Sequence, residues 1–112
     1  MKNRFKFRVW DKMLKKFISM NTLPIIDFNS KEYIFQQYTG FKDKNKKEIY
    51  EGDLVEVSQQ CGPQVVQWDD GYFRPLVQSG RSGDIWILTP EYIEVIGNIL
   101  ENPDIKVYGE SV

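Results

Sequence analysis

Few side chains in this sequence could carry out chemistry, and their spacing decides against most of it. Asp69 and Asp70 are adjacent carboxylates. Acid–base work on a glycoside needs two carboxyls facing each other across about 5–9 Å, whereas neighbours on a strand point to opposite faces. Asp70-Gly71 is instead the dipeptide that a tight two-residue hairpin turn demands, and a turn role is expected of it. Asp43, Asn45 and Glu48 hint at a calcium loop, but Lys47 stands where the third oxygen ligand belongs. Lys44 and Lys46 would repel the cation, so no metal is expected. Cys61, beside Gly62-Pro63, lacks the histidine that usually activates a thiol and reads as a spectator. Gly80-Arg81-Ser82-Gly83 is too short for a phosphate loop and has no Lys-Ser/Thr after it. It reads as a hairpin tip. No catalytic residue and no cofactor is expected.

The chain has no histidine at all. That removes a Ser-His-Asp triad, a histidine base, a Cys-His pair and most zinc sites. A single cysteine cannot form an intrachain disulfide, which argues against a secreted disulfide scaffold. At 112 residues, with 41% apolar and 14% aromatic content, the chain is one small folding unit and not a disordered tail. No apolar run is long enough for a membrane helix, and the basic start lacks the apolar stretch of a signal peptide. A location in the cytoplasm is the expectation.

A net charge of −1 hides a strong asymmetry. Residues 1–47 carry 12 Lys+Arg against 4 Asp+Glu, a net of +8, whereas residues 48–112 carry 3 against 12, a net of −9. The halves could neutralise each other inside one fold, meet between subunits of a homo-oligomer, or leave a basic face for a polyanion. Exposed charge is most often plain solvated surface, so neutralisation within the fold is the first reading.

The basic face itself is read from β periodicity. In Arg4-Phe5-Lys6-Phe7-Arg8-Val9-Trp10, the residues Phe5, Phe7 and Val9 share one side of a strand, and Arg4, Lys6, Arg8 and Trp10 the other. Basic side chains interleaved with an aromatic resemble a single-strand nucleic-acid groove; the plainer reading is a sheet edge protected by its charges. Arg4, Lys6, Arg8 and Trp10 are the first candidates for binding a partner. Lys42, Lys44, Lys46 and Lys47, in a charged loop, and the loop 78–84 are the others.

The elements that must position these residues read as short strands. Asp11-Lys12 opens a turn toward a returning strand over 16–20. Pro24 then interrupts the chain, with at most a short strand at 25–28, and Tyr33 to Thr39 is a third strand. A soft boundary falls at Lys47, dividing the chain into 1–47 and 48–112. Beyond it come Leu54 to Val57, then 64–69 and 72–77 flanking Asp70-Gly71, then 85–88 and 94–100. Pro75 marks an edge or a bulge, and Pro90-Glu91-Tyr92-Ile93 can form one helical turn starting at Thr89. No segment sustains a helical period. The fold class is therefore all-β: a basic hairpin-rich layer followed by a small barrel of SH3 type. Strands with apolar residues on both sides, such as those bearing Trp68, Tyr72, Phe73 and Trp86, also point to a subunit interface.

Several stretches resemble a known family. They are Lys6-Phe7-Arg8-Val9-Trp10-Asp11, Gln37 through Asn45, Glu48-Ile49-Tyr50-Glu51-Gly52-Asp53-Leu54-Val55, Val65 through Asp69, and Glu94 through Pro103. In this order they are similar to the YopX-like proteins of phages and prophages. The resemblance implies a β-rich fold with an SH3-like C-terminal part and a gene carried on phage or prophage. It implies no activity and supplies no catalytic residues. One departure is Lys46 or Lys47 where a glycine often follows Asn45, which bears on that turn's conformation. The expected function is a non-enzymatic accessory module that binds a phage or host protein, with nucleic-acid binding through the basic face as the alternative and a small enzyme last.

Overall fold

The computed structural model describes residues 6–18, 31–58, 62–69, 71–79 and 85–105. Alternation in the first stretch produces β1 (Phe7–Asp11), which returns as β2 (Lys16–Ile18). Asp11 builds the turn between them. Its side chain accepts the N–H groups of Met13 (2.9 Å) and Leu14 (3.1 Å), and Lys15 closes the loop with a left-handed φ of 55°. β3 (Tyr33–Lys42) lies antiparallel on the other side of β1, and β4 (Glu48–Tyr50) flanks β3, giving the order β2-β1-β3-β4. The expected strand at 25–28 lies outside the described residues.

The expected division at Lys47 runs through the tip of the β3–β4 hairpin, so the first strand beyond it belongs to the N-terminal sheet. The register shifts between Tyr38 and Lys42, where Gly40 takes φ 87° and kinks β3.

Glu51 and Gly52 (φ 89°) turn the chain into β5 (Asp53–Val57). β5 lies between β6 (Gln64–Val65) and β11 (Ile93–Asn98). A second shift, between Val95 and Gly97, adds to the curl. The continuous strand expected over 64–69 is two pieces, β6 and β7 (Gln67–Asp69). They part at Val66, whose N–H and carbonyl pair with Asp53 O and Gly52 N. β7 returns as β8 (Tyr72–Arg74) across a two-residue turn with Gly71 at φ 89°, as Asp70-Gly71 requires.

Pro75 divides the strand expected over 72–77 into β8 and β9 (Val77–Ser79), which pairs with β10 (Ile85–Ile87). Gln78 and Ser79, read as loop, are therefore in a ladder. A short 3-10 turn, Pro90–Tyr92, comes after Thr89 as expected and leads into β11.

The result is an all-β fold with a curled half-barrel sheet. Its core is Ile49, Val55, Val57, Val66, Leu76 and Ile93, with Phe41, Phe73, Leu88 and Val95 packed on it. Burying each such aliphatic side chain stabilises the fold by about 1.5–3 kcal/mol. Five of those six core residues come from beyond residue 50; Val9, Trp10, Tyr38 and Tyr50 are buried in the N-terminal layer.

Candidate functional site

β1 does not carry the open basic face that its alternation predicts. Trp10 is 7% exposed, its ring edge-on to Phe17 at 5.0 Å, so it offers no surface on which a base could stack. Arg8 is drawn inward as well. Its guanidinium lies between the rings of Phe17 and Tyr50, at 4.3 and 4.5 Å, and pairs with Asp53, whose side chain is 1% exposed. The reason is coverage: β3 places Gln36 opposite Arg8, and the start of β5 brings Asp53 over it. Arg4 lies outside the described residues.

Around that pair runs a closed polar network. Gln36 Oε1 accepts from Arg8 Nε and Asn98 Nδ2, both at 3.0 Å. Asp53 Oδ1 accepts from Arg8 Nη2 and from Asn98 Nδ2 (3.1 Å), and Oδ2 from the N–H of Tyr50 (2.8 Å). Asn98 Oδ1 takes the N–H of Leu100 at 2.8 Å. Four residues from β1, β3, β5 and β11 thus satisfy one another, the condition under which buried polar groups are tolerated. Sequence reading missed Gln36, Asp53 and Asn98, which lie in three separate segments with no shared motif.

Lys6 reaches across to Glu48, with both carboxylate oxygens 2.8 Å from Nζ. The hydrogen bond from Lys6 lowers the pKa of Glu48, and the same bond raises that of Lys6. Tyr38 and Tyr50 beside them are raised, first by burial and then by the Glu48 charge.

Lys42, expected in the charged loop, is the last residue of β3 and pairs with Glu48; Lys42, Lys44, Lys46 and Lys47 are all exposed. Buried Asp43 organises them. Its Oδ1 accepts from Asn45 N (2.8 Å) and Lys47 N (2.9 Å), and its Oδ2 from Val95 N on β11 (2.9 Å). The carboxylate that hinted at calcium holds backbone N–H groups. Lys46 adopts φ 64°, the left-handed conformation that a glycine takes easily. Lys44 meets Glu94 at 3.3 Å.

Each of the three ion pairs among the described residues (Lys6–Glu48, Arg8–Asp53 and Lys44–Glu94) joins the basic half to the acidic half. The asymmetry is therefore in part neutralised within the fold.

The other candidates from the sequence fall largely outside the described residues. Asp69 pairs with Tyr72 across the β7–β8 turn, while Asp70, Cys61 and 80–84 lie outside the described residues. Among the described residues no three His, Cys, Asp or Glu side chains cluster as metal ligands, and no helix is long and apolar enough to cross a membrane. Two surface features stand out instead. Trp68 on β7 is 57% exposed, its ring held edge-on to Phe73 at 4.9 Å. An open pocket of about 300 Å³ is lined by Lys44, Glu56, Ser58, Gly62, Tyr92 and Glu94, among others.

No curated protein matches the chain. The crystal structure of protein EF1440 from Enterococcus faecalis superposes with a TM-score of 0.54 at 23% identity, covering 88% of this chain and 95% of that one, a likeness of fold. The stretch Lys6 through Asp11 falls before the region of family similarity. That region, residues 21–105, matches the family described as YopX protein, and the chain belongs to the YopX family.

Proposed function

We propose that this chain is a non-enzymatic accessory module of phage or prophage origin, working in the host cytoplasm by binding a phage or host protein. Trp68 carries the reading. A tryptophan more than half exposed, on a three-residue strand and braced by Phe73, is a large apolar surface presented in a fixed orientation. Such preordered aromatics dominate the energetics of protein interfaces. Ile87, on the neighbouring β-hairpin, is also exposed.

A tagged pull-down from host lysate, with and without nuclease, tests the proposal when wild type is compared with Trp68→Ala. The expected result is a protein that survives nuclease treatment with wild type and is lost with the variant. Recovery of nucleic acid alone, or capture indifferent to Trp68, overturns it. Nucleic-acid binding is the second reading, favoured by the exposed lysines of the β3–β4 tip rather than by β1. It requires affinity to fall steeply with salt and to weaken in Lys46→Glu with Lys47→Glu.

A further inference from the structure

Two features of the described surface complement each other in charge. The first is the tip between β1 and β2. Met13 is 87% exposed and Leu14 57%, yet the turn that presents them is held by Asp11 and by the Lys15 N–H to Asp11 O bond at 2.8 Å. Lys12, Lys15 and Lys16 flank them, all exposed, and none enters the three ion pairs among the described residues.

The second is the pocket beside β11. Glu56 and Glu94 stand directly opposite each other on β5 and β11, and exposed Tyr92 forms part of the wall. Like charges in that position repel, and Lys44 offsets them through Glu94 at 3.3 Å. A further cation at the rim would relieve the repulsion.

Tip and pocket stand at opposite ends of β3. Asp11 pairs with Tyr33 at its start, whereas Lys44, two residues past its end, bonds to Ile93 O. Ten residues of strand separate them, roughly 30 Å at about 3.3 Å per residue. A chain cannot seat its own tip in its own pocket, and a second copy can.

We propose that the chain self-associates head to tail, with the Lys12 to Lys16 tip of one copy at the Glu56/Glu94 pocket of the next and Met13 and Leu14 against Tyr92. The contact joins two different surfaces, so it propagates into a ring or a filament instead of stopping at a two-fold dimer. It does not involve Trp68 and stands apart from the proposed binding function.

Sedimentation velocity over a concentration series, at about 50 mM and about 500 mM salt, tests this. Wild type should associate at low salt and dissociate at high salt. Lys12→Glu with Lys15→Glu should weaken association about tenfold or more, as should Glu56→Lys with Glu94→Lys. In an equal mixture the intact pocket of one variant meets the intact tip of the other, and the reversed tip meets the reversed pocket, so association should return although neither variant associates alone. The chain carrying all four substitutions should associate again, which guards against a variant that simply misfolds. A wild type that stays monomeric at low salt, association untouched by either pair of substitutions, or a mixture that fails to associate would each overturn the proposal.

Discussion

Arg8 and Asp53 stand 45 residues apart in the chain and form one ion pair, Asp53 buried and Arg8 partly so, joining the first sheet to the second. The guanidinium is also stacked between Phe17 and Tyr50, so geometry and burial both favour arginine at this position. Arg8→Ala would leave the Asp53 carboxylate charged, buried and short of a partner, and should cost about 3–5 kcal/mol in urea unfolding. Arg8→Lys keeps the charge but loses the planar fork and the stacking, so it should fail to restore wild-type stability.

Gly52 is required for the same network. Its φ of 89° disfavours any side chain, and a Cβ there would run into the amide of Gln36. Gly52→Ala should destabilise by about 2–4 kcal/mol, from backbone strain and a disturbed Gln36. A thermal melt within a degree of wild type would contradict this.

Asp43 pins the β3–β4 tip to β11 through the Val95 N–H. In Asp43→Ala three backbone N–H groups lose their acceptor, for a loss of about 2–4 kcal/mol. Asp43→Asn keeps one carbonyl oxygen and should lose less. Hydrogen exchange should quicken at the amides of Asn45, Lys47 and Val95 ahead of the core.

Lys46 holds a left-handed backbone that costs a side-chain-bearing residue about 1–2 kcal/mol, against about 0.5–1 kcal/mol for the extra entropy of glycine. Lys46→Gly should therefore stabilise the protein by about 0.5–1 kcal/mol. Lys46→Ala removes the charge without relieving the backbone and should bring no such gain.

Glu48 titrates below its ordinary value of 4.5 because Lys6 bonds its charged form. A depressed carboxylate contributes stability that is present above the unfolded-state value and lost as pH falls through the folded one. Wild type should lose more stability than Glu48→Gln between about pH 5 and 3. At the other extreme, Lys6 and the two tyrosines are raised, so their contribution is full below pH 10 and lost above their folded values. Chemical denaturation across both windows reads the difference.

Much of the architecture was legible because its signals are local. Asp70-Gly71 predicts the β7–β8 turn, Pro90 after Thr89 predicts the 3-10 turn, and alternation in β1 and β5 marks strands wherever they pack. β4 was not legible: Glu48-Ile49-Tyr50 is too short to show a period, and its place is set by pairing with β3. The charge asymmetry indicated that the halves could neutralise each other, but not which residues would meet.

Tertiary structure decided what covers each face. Period-two alternation sorts side chains onto two sides of a strand and is silent about whether either side meets water. In β1, Gln36 and Asp53 arrive from β3 and β5 over Arg8, and Phe17 on β2 packs on Trp10, so the face that reads as open is covered at these two positions. In the β1–β2 turn nothing described covers Met13 and Leu14, and two apolar side chains are left in solvent. Alternation is a property of the strand alone, whereas burial depends on chain segments distant in sequence.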